Sequence, residues 1–391
     1  MVLMRIGFVF DDSLDAPDGV QQYIMTVGRE LVRRGHQVVY LVGETATHPV
    51  DGIVPFSRNV AVRFNGNIMR IPLPTSREKI RQTLRHYDFD VLHVQAPYSP
   101  FMAGRVIDQA KKVSPRTRIV ATYHIAPYSG LAMAGGKILG WLNASSRRKI
   151  DQIIAVSTVA ADYARQAEGV SQATVIPNPV DCLAVRQRLE EEEERDPDRP
   201  FDQVHHRNHV VFLGRFVERK GAVLLLGALE YAQAHPDQVS FPDDIHVSFA
   251  GKGPLLEESK KRAAALKIPT DFLGFIDEEE KAPYLASADV AVFPSKAAES
   301  FGIVLIEAMA AGSGVILAGD NPGYHSTMLG NEEILFDVTS PDRAYKLAML
   351  IAKALNDDVW ARKIHSWQEK LITRYDVRTV VDQLEAVYRP R

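Results

Sequence analysis

Short, unbroken apolar runs alternate with segments of helical period along most of the chain. In the first half the runs are MRIGFVF, HQVVYLV, DVLHV, RIVATYH and QIIAVS. The pattern restarts in the second half with HVVFLG, IHVSFAG, TDFLGF, DVAVFP and GVILAG. A strand exposed on one face would alternate apolar with polar. Continuous runs with helices between them predict strands covered on both faces, hence parallel sheets. Between the two sets lies RQRLEEEEERDPDRPFDQVHHRNH, whose five consecutive glutamates and two prolines bury no core. The pattern therefore predicts an α/β protein of two doubly wound, Rossmann-like domains facing a central cleft. The boundaries are 1–182 for the first domain, 183–208 for an acidic linker and 209–373 for the second. A last amphipathic helix in 374–391 can pack back on the first domain. In such sheets ligands bind outside the carboxyl ends of the strands, so residues just after each run are the ones to inspect.

Composition narrows the function classes. The 391 residues leave room for two cores, and 46% hydrophobic with 24% charged residues is the balance of a soluble globular chain. A net charge of −3 gives no reason to expect nucleic acid as a partner. The single cysteine, Cys182, allows no internal disulfide and no cysteine-based metal site. Aspartates 11 and 12 interrupt the first apolar run too early for a secretory signal. The longest apolar tract, Phe301 to Ala318, is broken by Glu307 and by AAGSG, so it reads as helix, turn and strand rather than a membrane span. The expectation is a cytoplasmic protein whose contact with a membrane, if any, is peripheral and on the inner face.

The chemistry collects at strand ends. After DVAVFP comes ESFGIVLIE, with Glu299 and Glu307 bracketing a helix start. Backbone N–H groups of Ser300, Phe301 and Gly302, followed by Ile303, are placed to meet a phosphate, since a helix N-terminus carries about half a positive charge. Glu299 beside them can accept from sugar hydroxyls, and Glu307 lies two turns further on; the plainer alternative is a helix with an acidic first turn and one buried glutamate. After HVVFLG come Arg215, Arg219, Lys220 and Gly221. Three cations at a strand end fit a diphosphate, or else form a solvated loop. Gly251 opens GKGP after IHVSFAG; Leu256 stands where a dinucleotide fingerprint has its third glycine, so a tight turn is preferred there. Near the N-terminus, Gly19 and Gln21 begin a helix after the first strand. His124 ends RIVATYH, where it can hydrogen-bond a sugar hydroxyl or serve the structure. His93 reads as core or its support. Asp88 and Asp90 resemble a metal-binding pair but precede a strand, which favours a polar cap. SREKIRQTLRHY carries Arg77, Lys79, Arg81 and Arg85 on a helical period that suits either an anionic lipid surface or an ordinary solvent face.

Taken together, these residues resemble the large GT-B class of retaining glycosyltransferases called family 4. The likeness covers nearly the whole chain and rests on Glu299 and Glu307 in PSKAAESFGIVLIEAMAAG, on Gly214-Arg215 and Lys220-Gly221, on GKGP and on IPNPVD. Within that family it is most similar to actinobacterial phosphatidylinositol α-mannosyltransferases. RFNGNIMR resembles their inositol-phosphate loop, with Asn65 and Arg70 at matching polar positions and Phe64 in place of a tyrosine. Gln21 and His124 also match, and the basic helix resembles their membrane-docking helix. Three departures stand out: Asp18-Gly19 replaces a glycine pair, the cationic loop is one residue shorter, and the acidic linker is long.

The resemblance implies a nucleotide-sugar donor and no cofactor or metal requirement. Arg215, Lys220, Glu299 and His124 would act in catalysis. Gly19, Gly251, Ser300, Phe301, Gly302, Ile303 and Glu307 would hold the donor, and Gln21, Asn65 and Arg70 the acceptor. Arg77, Lys79, Arg81 and Arg85 would meet anionic lipids. The leading expectation is mannose transfer from GDP-mannose to phosphatidylinositol. The alternatives are a UDP-sugar with diacylglycerol, a polyol phosphate or a glycan as acceptor, and a sugar-nucleotide-binding protein without turnover.

Overall fold

The computed structural model describes residues 3–15, 18–47, 49–64, 67–97, 102–125, 137, 140, 141, 143–195 and 208–389, with backbone alone at 61–71. Two compact units emerge, one of residues 1–179 with 377–391 and one of residues 180–376.

The first unit is built on β1 (Arg5–Val9), β2 (Gln37–Gly43), β3 (Ile53–Ser57), β4 (Asn59–Phe64), β5 (Asn67–Pro72), β6 (Val91–Gln95), β7 (Arg118–Tyr123), β8 (Gln152–Ala155) and β9 (Thr174–Val175). Seven strands form one parallel sheet in the order β3-β2-β1-β6-β7-β8-β9. Alternate residues of each strand feed opposite cores. Ile6 and Phe8 join Tyr23, Val27 and Leu31 of the helix Gly19–Arg33 on one face. Val9, Leu92 and Val94 join Ile80, Leu84, Val106 and Ile107 on the other, under the helices Arg77–Tyr87 and Met102–Val113. This two-sided burial is the reason the strands read as continuous apolar runs.

β4 and β5 form a separate antiparallel pair, with Ala61 opposite Arg70 and Phe64 opposite Asn67. The segment RFNGNIMR, likened above to a loop, is therefore largely hairpin. Its strands suit β-branched and alternating residues, and an Asn-Gly pair between them is the expected hairpin punctuation. Asn65 itself lies outside the described residues, as does the side chain of Arg70.

The helix Val377–Tyr388 belongs to the first unit, where Val377, Val380, Val381 and Leu384 are fully buried in the same core as Tyr23 and Leu31. A charged cluster holds it: Arg34 bridges Glu30 at 2.7 Å, Asp382 at 2.6 Å and Glu385 at 3.3 Å, and His36 Nε2 lies 3.2 Å from Glu385 Oε1.

The second unit holds β10 (His209–Leu213), β11 (His246–Ala250), β12 (Thr270–Gly274), β13 (Val290–Phe293), β14 (Val315–Gly319) and β15 (Leu335–Phe336), in the order β12-β11-β10-β13-β14-β15. The acidic run corrects the linker expectation. Cys182–Arg195 is one helix of this unit, packed beside the helices Glu278–Ala286 and Ile303–Ala311. Its glutamates are largely solvated, so the segment needs no core of its own to be helical. Residues 196–207 of the expected linker lie outside the described residues. Among the described residues no helix is long and apolar enough to cross a membrane.

Candidate active site

Strand order places the chemistry of the second unit. The sheet reverses direction of growth between β10 and β13, and ligands favour the crevice beyond such a switch. The loop leaving β10 carries Arg215, Arg219 and Lys220; the loop leaving β13 carries Ser295 and Glu299. Two bonds to one backbone carbonyl tie the loops together: Lys296 N–H donates to Arg219 O at 2.7 Å, and the Ser295 side-chain Oγ–H donates to it at 3.0 Å.

Glu299 Oε1 is the focus. It accepts from Arg219 Nη1 at 3.0 Å, Lys220 Nζ at 2.8 Å and Ser295 Oγ at 2.7 Å. Its other oxygen, Oε2, accepts no hydrogen bond among the described residues. Lys220, expected on a diphosphate, thus also holds Glu299. Arg219, counted from the sequence among the three cations for a diphosphate, shares that task. Arg215 is exposed at the mouth of the loop, where Phe216 N–H donates to Lys252 O at 2.9 Å. Lys220 is followed by Gly221 at φ 77°, and a β-carbon there would sit 2.1 Å from Pro294 O. Only glycine lets the two loops approach this closely.

Ser300 and Phe301 precede the helix Ile303–Ala311, and Gly302 is its N-cap at φ 104°. A β-carbon on Gly302 would meet the Tyr324 ring at 2.5 Å. The need for glycine at 302 is therefore set by packing and by positive φ. Tyr324 is fully buried; burial, and next the Glu299 charge, push its phenol well above the usual range. Ala298, one residue before Glu299, is left-handed at φ 60°. Gly251 follows β11 and donates its N–H to Gly274 O of the neighbouring strand at 2.5 Å, extending the ladder.

Glu307 repeats the arrangement of Glu299. Its Oε1 accepts from Lys281 Nζ at 2.7 Å, and Oε2 accepts nothing among the described residues. Lys281 also pairs with Glu278 at 2.8 Å. Burial pulls this ammonium down, but the charges of Glu307 and Glu278 outweigh it and leave it above its ordinary value. The helix Glu278–Ala286 that presents Lys281 starts with a capping box between Asp277 and Glu280. Sequence reasoning missed Lys281 because it lies in a run of glutamates, DEEEK, that reads as a solvated face. Tyr324 carries no spacing signal and only the fold reveals it, while Ser295 bonds Glu299 four residues on within one loop.

In the first unit His124 follows β7, buried, with Nε2 2.7 Å from Gln95 Oε1 and the Tyr23 ring edge-on at 5.0 Å. Burial depresses its pKa to about 3, so the ring is neutral. His93 is a linker within the core: Nδ1 lies 2.7 Å from Tyr388 Oη and Nε2 2.7 Å from Thr122 Oγ1. Gly19 begins its helix with Asp18 as N-cap. Gln21 is buried and its amide donates to Ser13 O at 3.3 Å, bracing the loop after β1. Asp88 ends the helix Arg77–Tyr87, and both Asp88 and Asp90 pair with Arg5, at 3.0 and 3.5 Å. Of the four helical cations, Arg81 is engaged by Gln109 at 2.8 Å and Lys79 by Pro55 O at 2.9 Å; Arg77 and Arg85 are exposed.

Residues 17–182 match the family described as Glycosyltransferase Family 4, and residues 194–371 match Glycosyl transferases group 1. The chain is 32% identical to the phosphatidyl-myo-inositol mannosyltransferase of Mycobacterium tuberculosis strain H37Rv, over 98% of this chain and 96% of that one. It is 26% identical to the GDP-mannose-dependent alpha-(1-6)-phosphatidylinositol monomannoside mannosyltransferase of Mycobacterium tuberculosis strain CDC 1551, covering 91% and 90%. Among solved structures, Anabaena HepE in complex with UDP superposes with a TM-score of 0.71 at 19% identity, covering 98% of this chain and 99% of that one. The fold is GT-B, and the chain belongs to the family 4 glycosyltransferases.

Proposed function

We propose that this glycosyltransferase moves mannose from GDP-mannose to a hydroxyl of the phosphatidylinositol headgroup, with retention of anomeric configuration. The observation that carries the donor half is the pair of half-engaged carboxylates. Glu299 and Glu307 each have one oxygen held by cations and the other unclaimed, so each can accept from hydroxyls without moving. Glu299 takes hydroxyls of the transferred sugar and Glu307 those of the ribose. Arg215, Arg219 and Lys220, with the backbone at Ser300 to Gly302 and Ile303, take the diphosphate between them. The donor and acceptor assignments draw support from the two mycobacterial relatives' names.

The bond from the anomeric carbon to the phosphate oxygen breaks, and a bond from that carbon to the acceptor oxygen forms on the same face. The acceptor's proton passes to the departing phosphate oxygen. The cations at the β10 loop stabilise the charge that develops there, which is the role a divalent metal otherwise fills. The first unit supplies the acceptor side through Gln21, Asn65 and Arg70, with His124 meeting a hydroxyl. Arg77 and Arg85 face solvent and suit an anionic bilayer on the cytoplasmic side.

The test is transfer of labelled mannose from GDP-mannose to liposomes containing phosphatidylinositol, with Glu299→Ala as control and chelator in a parallel series. Transfer by the native chain, lost in the variant and untouched by chelator, is expected. Activity only with UDP-sugars on other lipids would overturn the substrates. Nucleotide binding without turnover of any donor would overturn the enzymatic reading of this site.

A further inference from the structure

We propose that Gln95 is a positioning residue: its amide oxygen fixes His124 as the Nε2–H tautomer and so presents Nδ1 as a hydrogen-bond acceptor to a ligand hydroxyl. What meets Nδ1 rests on the glycosyl-transfer reading above; the tautomer does not.

β6 and β7 are parallel neighbours, with Gln95 opposite Thr122, so both Gln95 and His124 emerge at the carboxyl end of the sheet. Gln95 Oε1 and His124 Nε2 are 2.7 Å apart. A carboxamide oxygen has no proton to give, so the ring nitrogen must donate. A neutral ring then carries its lone pair on Nδ1. That atom makes no hydrogen bond among the described residues. The ring plane is held from a second side by Tyr23, edge-on at 5.0 Å.

Two groups besides Gln95 face the ring and could disturb its charge. Tyr23, from the helix Gly19–Arg33, has its phenol pushed up by burial, and His93, from β6, is pushed down to about 3 by burial and then by His124. Both are uncharged near neutral pH, as is His124 itself.

Packing alone does not account for Gln95. It is fully buried, and its amide nitrogen finds no partner among the described residues. The next residue, Ala96, is left-handed at φ 53°, its N–H held by Thr122 O at 3.0 Å. An apolar side chain would fill the same volume without a buried unpaired donor. Unpaired donors and strained backbone persist where something other than stability is selected.

Three full-length chains test this: the native protein, Gln95→Leu and Gln95→Glu. Imidazole ¹⁵N spectra of histidine-labelled protein, with His124→Gln to assign the signal, read the tautomer directly in the native chain. The expected result is Nε2–H; an Nδ1–H tautomer, meaning the amide is turned over, overturns the proposal. In mannosyl transfer, Gln95→Leu is expected to lower kcat about tenfold with little change in donor KM, the scale of one misdirected hydrogen bond. Gln95→Glu still accepts from Nε2–H, but its charge raises the His124 pKa. Its kcat should therefore approach native at high pH and fall below about pH 6.5, as protonation removes the acceptor. The native profile should show no such limb. A Gln95→Leu chain as active as native, or a Gln95→Glu profile without the acid limb, also overturns the proposal. Absence of turnover in every chain, with the Nε2–H tautomer observed, would sink the glycosyl-transfer reading and leave the Gln95 assignment standing.

Discussion

At the scale of residues, the proposed function gives the two glutamates different tasks, and kinetics should separate them. Glu299→Gln preserves shape but removes the charge that Arg219 and Lys220 face. Its effect belongs to the transition state: kcat for transfer should fall about 100-fold, with donor KM changed only a few-fold. Glu307→Gln weakens uniform binding instead, so donor KM should rise about tenfold with kcat nearly kept. Equal losses in both parameters for both variants would mean that the carboxylates act as one structural unit. Ala298 offers a cleaner physical test. Its φ of 60° costs a β-carbon about 1 kcal/mol, so Ala298→Gly should leave stability unchanged or raise it despite glycine's larger unfolded-state entropy. A drop in Tm of several degrees would refute that reading.

Glu168 makes a pH prediction of definite sign. It is buried near Tyr123 Oη at 3.5 Å and Arg147 Nη1 at 3.6 Å, distances too long for strong bonds, and its Oε1 has no partner among the described residues. Burial pushes its pKa from 4.5 to about 7, against the opposing pull of Arg147. Below pH 4.5 both folded and unfolded chains hold the proton. Between 4.5 and 7 only the folded chain does, so this group's contribution is lost as pH rises through that window, to a total of about 3 kcal/mol. Glu168→Gln should abolish this slope and be the more stable chain at pH 8, measured by urea denaturation. His93 and His124, depressed by burial, act oppositely: their contribution is lost as pH falls below about 6.5, in the native chain and the variant alike.

At the scale of elements, the sheets were legible and the helices' allegiance was not. Each quoted apolar run contains a strand; burial on both faces leaves no room for polar alternation in the inner ones, whereas the edge strand β12 is partly exposed along its length. The run Glu190 to Glu194 misled because charge density speaks to solvation and says little about helix formation: glutamate is a good helix former, and the segment needs only one contact side. The hairpin of β4 and β5 was visible in principle from its Asn-Gly pair. The site was legible where spacing carries it, at Glu299 and Glu307. It was illegible at Lys281 and Gln95, which reach their partners only through the fold, and at Ser295, whose bond to Glu299 four residues on lies in a loop without periodicity. The helix Val377–Tyr388 shows how local such allegiance is. Leu384 is fully buried, and Tyr388 closes the bond to His93. Leu384→Ala should cost about 3 kcal/mol in urea denaturation. Tyr388→Phe should cost about 1–2 kcal/mol, because it strands a buried ring nitrogen. A Leu384→Ala loss under 1 kcal/mol would mean that the helix is dispensable to the first unit.

At the scale of the whole molecule, the chain crosses from one unit to the other twice, near residues 179 and 376, so each unit has its own sheet and its own cores. Both carboxylates and all three loop cations lie in the second unit, so the proposed function places nucleotide binding in residues 180–376. Calorimetry on the full chain should then resolve two transitions, and GDP should move one of them. At a concentration 100 times its Kd, a ligand that binds only the folded state adds about 2.7 kcal/mol. For a unit of this size that is roughly 5–10 °C. Glu307→Ala should cut the shift to about half or less at the same GDP concentration without moving the other transition, while Leu384→Ala should lower the other and leave the GDP shift intact. One transition displaced as a whole by GDP would instead mean that the units unfold together, and that the stability of the first is linked to the occupancy of the second.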